Sequence, residues 1–266
     1  MKIGFSTLGC PKWSLEHACA QAGKMGYDGL ELRLIDGKVV STDADPAERA
    51  RVRDVLAAGG VEVSALGTSV KLAAPDAEKS VAELRAGLAL AADWSIPTVR
   101  VFGGRVAAGE DRAAANRRGA SVVSAVLADA ERLGVRIALE THDDFSAAGH
   151  AAAMLDAVGH SAFGVIWDIQ HTWRAGDQPK DAWSALGPHT IEIHVKDGRE
   201  TDASWQQTNL GEGELPVAEC IERARTDGFD GWLVVEWEKH WHSELAEPEV
   251  ALPAHRTALT TILAAG

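Results

Sequence analysis

Four side chains able to hold or move charge recur at one kind of place in this chain. Glu140, Asp168, His194 and Glu236 each stand at or near the end of a short apolar run: Val135–Glu140, Phe163–Asp168, Thr190–Lys196 and Gly231–Glu236. Three carboxylates and one imidazole brought together repel one another in a low-dielectric pocket, and a divalent cation resolves that conflict. Three oxygen donors and one nitrogen suit Mn2+, the preferred ion, with Mg2+, Co2+ and Zn2+ as alternatives; a soft-metal site would recruit cysteines. The three cysteines, Cys10, Cys19 and Cys220, are odd in number and far apart. That argues against a disulfide framework and for a reducing, cytoplasmic setting.

The runs that carry these residues belong to a series of eight, the first four being Ile3–Thr7, Gly29–Leu34, Val61–Gly67 and Thr98–Gly103. Helix-like segments rich in Ala, Glu, Arg and Leu lie between them, among them Leu15–Met25, Pro46–Ala58, Asp76–Asp93, Asp111–Leu133, Val217–Thr226 and Pro253–Ala265. Strict strand–helix alternation implies parallel strands joined by right-handed crossovers. Eight units of about 33 residues match an α/β fold, a single-domain (β/α)8 TIM barrel over residues 1–266. A doubly wound open sheet would show a glycine fingerprint after its first strand, and Ser6-Thr7-Leu8-Gly9-Cys10-Pro11 is none.

Parity places the side chains. Val135, Ile137 and Leu139 form one apolar set; so do Phe163, Val165 and Trp167, then Ile191, Ile193 and Val195, then Leu233, Val235 and Trp237. These sets face the helices, so the opposite parity faces the barrel axis. Glu140, Asp168, His194 and Glu236 then converge at the C-terminal mouth, where barrel active sites are built. Glu31, Arg33, Arg100 and Phe102 also point inward, and Phe102 is a candidate pocket wall in contact with substrate. One charged residue at a strand end is usually solvated or ion-paired. Four of one parity on consecutive strands make a site.

Composition narrows the partners. With 39 Asp+Glu against 26 Lys+Arg the formal net charge is −13, which argues against nucleic acid. No apolar run approaches a membrane span, and Met1–Cys10 lacks the features of a signal peptide. Hydrophobic residues at 46% supply a core rather than a disordered chain.

The motifs Ala138-Leu139-Glu140-Thr141-His142, Trp167-Asp168-Ile169-Gln170-His171, His194-Val195-Lys196-Asp197, Gly211-Glu212-Gly213 and Val234-Val235-Glu236-Trp237-Glu238 together resemble the xylose isomerase-like TIM-barrel superfamily, in its sugar isomerase/epimerase branch. Lys2-Ile3-Gly4-Phe5-Ser6 and Gly26-Tyr27-Asp28-Gly29-Leu30-Glu31 extend the resemblance over essentially the whole chain. It implies that Glu140, Asp168, His194 and Glu236 ligate one divalent ion, and that Glu140 and Glu236 also flank the substrate and move protons. It further implies that His171 and Arg199 bind substrate oxygens, and that the chain forms a homodimer or homotetramer, a hetero-oligomer being the alternative. The scaffold hosts isomerases, epimerases, dehydratases, lyases and a DNA-repair endonuclease. The endonuclease draws extra histidines from the third and fourth strand ends, which here read Leu66-Gly67-Thr68-Ser69 and Val101-Phe102-Gly103-Gly104.

The expected chemistry is proton transfer. A metal chelating a carbonyl and its neighbouring hydroxyl acidifies the C–H between them and stabilises the enediolate. A carboxylate on each face then gives epimerisation, and base and acid on one face give isomerisation. The expected substrate is a keto-sugar or sugar derivative, free or as a glycoside, since no phosphate clamp is evident. The alternative is a lyase acting on 3-keto-glycosides, or a related dehydratase, with His142 as base; a hydrogen-bonding loop role for His142 is equally open. Lys196 either holds a substrate oxygen or pairs with Asp197 or Glu192, the pair being preferred. Among nine tryptophans, Trp13 follows the first strand and is the candidate for stacking on substrate. The segment Trp237–Val250, with His240 and His242, reads as a solvated or interface loop over the mouth.

Overall fold

The computed structural model describes residues 1–202 and 204–265; Ala203 and Gly266, within the expected 1–266 domain, lie outside the described residues. Its strands are β1 (Lys2–Ser6), β2 (Gly29–Leu32), β3 (Leu34–Ile35), β4 (Lys38–Val39), β5 (Glu62–Lys71), β6 (Thr98–Phe102), β7 (Arg136–Glu140), β8 (Phe163–Asp168), β9 (Thr190–Val195), β10 (Asp197–Glu200), β11 (Trp205–Thr208) and β12 (Trp232–Val235). Eight of them close a parallel barrel in the order β1-β12-β9-β8-β7-β6-β5-β2, as the alternation of apolar runs and helices predicts. The others form two antiparallel ribbons, β3 with β4 and β10 with β11.

The helices are α1 (Leu15–Lys24), α2 (Pro46–Gly59), α3 (Ala77–Asp93), α4 (Arg112–Ser124), α5 (Leu127–Leu133), α6 (Ala148–Val158), α7 (Ile169–Arg174), α8 (Pro179–Leu186), α9 (Val217–Thr226) and α10 (Pro248–Ala265). Local chemistry sets their ends. The Asp45 carboxylate accepts from the amides of Ala47 and Glu48, both at 2.9 Å, ahead of Pro46 in the first turn. Gly134 ends α5 with φ +66°, a left-handed conformation that glycine adopts without steric cost.

Parity decides what each strand buries. Ile137, Leu139, Val165, Trp167, Ile193, Val195, Leu233 and Val235 all join the main core between barrel and helices. Each full burial of such a side chain contributes about 1.5–3 kcal/mol. The opposite parity lines the lumen, and register brings its members side by side: Phe102 beside Glu140, Asp168 beside His194, His194 beside Val234.

Three elements depart from expectation. The single helix expected over Asp111–Leu133 is two, α4 and α5; the carbonyl of Ala125, freed at the break, accepts from Arg85 Nη2 at 3.1 Å. The last helix starts at Pro248 rather than Pro253, so Pro253 lies inside it and removes one intrahelical donor. The loop after β12 is pinned. Trp237 Nε1 donates to Ala246 O at 3.0 Å, the buried Lys239 ammonium donates to Ser243 O at 2.6 Å, and the His240 amide donates to Leu8 O at 3.2 Å. No described helix is long and apolar enough to cross a membrane, and the three cysteines are buried and unbonded.

Candidate metal centre

Glu140 ends β7, Asp168 ends β8, His194 lies late in β9 and Glu236 follows β12. All four are buried, and each offers one ligand atom such that the set lies within 4.8 Å of one another. His194 Nδ1 is 3.6 Å from Glu140 Oε1 and 3.6 Å from Glu236 Oε1. Glu140 Oε2, Asp168 Oδ2 and His194 Nδ1 are buried and make no aligned hydrogen bond, with Arg100 Nε 3.1 Å from the first and Lys196 Nζ 2.9 Å from the second. Carboxylates packed this closely cost free energy unless cations offset their charge. Three carboxylates and an imidazole nitrogen gathered in this way fit one divalent ion.

The strand ends are tied so that these groups meet. Thr141 Oγ1 accepts from the Asp168 amide at 2.8 Å and links β7 to β8. Asp168 also caps α7: its Oδ1 accepts from the His171 amide at 3.0 Å, which explains why His171 follows three residues later and turns toward the same space. Asp197, on the other parity, builds the floor under the next loop. Its carboxylate accepts from the amides of Gly198 (2.8 Å), Gly211 (2.9 Å), Gly213 (3.0 Å) and Leu215 (3.1 Å). A Cβ on Gly213 would sit 2.1 Å from Asp197 Oδ1, so the Gly211-Glu212-Gly213 turn needs glycine for close approach.

A second layer surrounds the donors. Glu192, two residues before His194 on the same parity, lies 3.2 Å from His194 Nε2; Glu31 Oε1 is 3.7 Å from that nitrogen. A carboxylate on Nε2 favours the tautomer that leaves the Nδ1 lone pair for a metal. Arg100 Nε is 3.1 Å from Glu140 Oε2. Burial pushes the Glu140 carboxyl up, but Arg100 and His194 outweigh it and hold it well below the usual range. Burial likewise acts against Glu236, and Lys196 and His194 bring it to about 2. Burial opposes charge on His194 as well, yet Glu236 and Glu31 hold its pKa well above the ordinary value. The pocket is short of positive charge.

The donors meet a cavity of about 390 Å³ lined by Arg33, Arg100, Phe102, Glu140, His142, Gln170, His171, Arg174, Ser204, Trp205, Glu236, Glu238, Trp241 and His242, with Leu8. Phe102, His142 and His171 therefore share it. The His142 ring is 4.7 Å from Phe102 and 4.4 Å from His171. Burial pulls the pKa of His171 down. It acts on His142 in the same sense, but Asp143 and Glu140 outweigh it and raise that pKa.

Of three further expected substrate contacts, Lys196 pairs with carboxylates at the edge of the cavity, and Arg199 and Trp13 lie away from it. Lys196 is buried, its ammonium 2.9 Å from Asp168 Oδ2, 2.7 Å from Glu238 Oε1 and in contact with Glu236 Oε2. It pairs with neither Asp197, which is of the other parity and faces the glycine turn, nor Glu192, which lies earlier in β9 against His194 Nε2. Arg199 is exposed on β10, where its guanidinium donates to the Glu212 carbonyl; the ribbon carries it out of the cavity. Trp13 is buried beside α10, its Nε1 donating to Glu249 Oε1 at 3.0 Å, and lies edge-on to Phe5 with ring centres 6.5 Å apart. Conversely, sequence reasoning gave Glu192 a role only as a possible partner of Lys196, and none to Glu238, Arg174 or Trp241. The first two were readable from parity; Arg174 and Trp241 come from a helix end and a loop that carry no periodic signal. Trp205 lines the mouth as well, with the Arg174 guanidinium 5.2 Å from its ring.

Comparisons extend the picture. An uncharacterized Mycobacterium tuberculosis protein is 25% identical over 260 residues, covering 89% of this chain and 88% of that one. A solved structure of IolI protein with a bound zinc atom matches with a TM-score of 0.83 at 17% identity, covering 100% of this chain and 99% of that chain. L-Ribulose 3-epimerase gives 0.80 at 18%, covering 99% and 95%. A probable 3-DHS dehydratase, AsbF of Bacillus anthracis, gives 0.77 at 19%, covering 98% and 99%. At such identities these structures share the fold. The family model described as xylose isomerase-like TIM barrel matches residues 19–258, and the chain belongs to that family.

Proposed function

We propose that this protein is a divalent-metal-dependent isomerase or epimerase that moves a proton on the carbon beside a carbonyl of a keto-sugar or sugar derivative. One observation carries the reading: the ligand atoms of Glu140, Asp168, His194 and Glu236, all buried, gather within 4.8 Å of one another at the edge of the cavity. The likeness to an epimerase, to zinc-bound IolI and to a dehydratase supports sugar-modifying chemistry. When bound, a divalent ion, Mn2+ by preference, polarises the carbonyl and offsets the charge that develops on its oxygen.

The chain's own residues supply the rest. Glu140 ends β7 and Glu236 follows β12 across the mouth; one takes a proton from carbon, and the other takes a proton from solvent and delivers it to the opposite face, while the first returns its proton to solvent. Arg100 and Lys196 keep the two carboxylates ionised. His171 Nε2 has no hydrogen-bond partner and offers a contact for substrate oxygen, with Phe102 as the wall beside it. The net charge of −13 sets DNA aside as a substrate.

A second reading rests on His142, whose ring lines the cavity and whose Nδ1 lies 3.2 Å from the Asp143 carboxylate, an acid that orients and strengthens an imidazole base. There it would serve as base in a lyase acting on a 3-keto-glycoside, with Trp205 and Trp241 facing the aglycone. Mn2+-loaded protein in heavy water, offered ketoses and 3-keto-glycosides and followed by NMR, separates the two. Deuterium at one carbon without cleavage is expected, falling at least about 100-fold in Glu140→Gln and Glu236→Gln. Released aglycone favours the lyase, and full exchange in both variants removes the glutamates from the chemistry.

A further inference from the structure

Four arginine and lysine side chains are buried among the described residues: Arg33, Arg100, Lys196 and Lys239. Three have carboxylate partners: Arg100 with Glu140, Lys196 with Asp168, Glu236 and Glu238, and Lys239 with Glu247 at 3.1 Å. Arg33 has none among the described residues within 4.0 Å. Its Nη1 donates to two neutral acceptors, Gly67 O at 3.2 Å and Ser69 Oγ at 3.1 Å. Its Nε and Nη2 make no hydrogen bond among the described residues.

A buried guanidinium without a counter-ion is unusual and costly. The site is nonetheless built around it. Thr7 Oγ1 accepts from the amides of Arg33 (2.9 Å) and Leu34 (2.7 Å) and so fixes the end of β2. Gly67 makes room for two guanidinium arms: a Cβ there would lie 3.1 Å from both Arg33 Cδ and Arg100 Nη2. The Arg33 guanidinium is 5.9 Å from the Phe102 ring centre and shares the cavity wall with Phe102, Glu140 and His171. Burial and the neighbouring Arg100 pull its pKa down to about 10, and Glu31, Glu140 and Glu236 offset this only from beyond contact distance.

We propose that Arg33 receives a carboxylate of the substrate, so that the site takes a ketose bearing an acid group rather than a neutral ketose. The proposal rests on reading this cavity as the substrate site. A carboxylate is planar, carries one charge and matches the free Nε–Nη2 edge of a guanidinium with two parallel hydrogen bonds. A phosphate dianion would bring a second charge toward Glu140, Glu236 and Glu238, with Arg100 already paired to Glu140 and Arg174 exposed.

Fructose, fructuronate and fructose 6-phosphate differ only at C6 and make a matched set. Titration calorimetry on the Mn2+-loaded protein is expected to show fructuronate binding about 10- to 100-fold more tightly than fructose, the range of a charge-assisted pair. Arg33→Gln removes that preference while Mn2+ affinity and melting temperature hold. Arg33→Lys, which keeps the charge and loses the fork, retains part of it. Equal or undetectable binding of the three, a preference that survives in Arg33→Gln, or tighter binding of the phosphate overturns the proposal. Deuterium exchange separates this from the proton-transfer reading. Exchange into neutral ketoses with no acid preference sinks only the role of Arg33, and acid preference without exchange sinks only the proton transfer.

Discussion

The two sides of the barrel lumen are opposites in charge. From β7, β8, β9 and the end of β12 come Glu140, Asp168, Glu192, His194 and Glu236, with Lys196 as the one ammonium among them; from the end of β2 and from β6 come Arg33, Arg100 and Phe102, with Glu31 as the one carboxylate among them. Arg100 joins the sides, with Nε 3.1 Å from Glu140 and 3.9 Å from Glu31 and its guanidinium 4.1 Å from the Phe102 ring centre. An acidic wall this dense needs added positive charge. The basic wall lends it Arg100 and leaves Arg33 over. The segregation assigns different ligands to the two walls, a cation to one and an anion to the other.

The largest expected effect breaks the acidic wall. Asp168→Ala removes a ligand and the cap of α7 together, so Mn2+ affinity falls by more than about 100-fold, beyond the usual loss for an outer partner. Phe102→Leu, on the opposite wall, leaves Mn2+ affinity within about twofold, the scale of a contact that carries no charge. Calorimetric titration of both variants checks the division. Equal losses would show that the walls act as one unit.

A smaller effect comes from beneath the metal donors. Glu192→Gln keeps the shape of the contact with His194 Nε2 and removes its charge, and is expected to weaken Mn2+ binding by about 10-fold. Nitrogen-15 shifts of His194, read at a pH above its raised pKa, should show the Nε2-protonated tautomer in the native protein and a mixture in the variant. An unchanged tautomer with unchanged affinity would leave Glu192 a lumen charge without a positioning role.

How far this charge map could be read in advance depends on how local its causes are. Alternation within eight apolar runs fixes which side chains face the axis, and that is enough to bring Glu140, Asp168, His194 and Glu236 to one mouth. Glu192 follows from the same parity. Lys196 does not, because the carboxylates its long arm reaches come from three strand ends whose convergence is a property of the closed barrel. The break between α4 and α5 was hidden too: its freed carbonyl is satisfied by Arg85, 40 residues away. Arg199 was misplaced for a simpler reason. No apolar run marks the residues after β9, yet β10 pairs antiparallel with β11 in the register Arg199 to Gln206, and the Arg199 side chain is held by the Glu212 carbonyl.

Arg199 and Arg33 therefore make the finest test of the map, since both are cations near the mouth that differ in what surrounds them. The Arg199 guanidinium meets water and the Glu212 carbonyl, so it is screened and its removal leaves no buried group uncompensated. Arg199→Ala is expected to change Mn2+ and fructuronate affinities by less than about twofold. A loss matching that of Arg33→Gln would mean that the β10–β11 ribbon folds over the cavity when ligand binds. The anion would then be held between two arginines, one fixed in the wall and one carried by the ribbon.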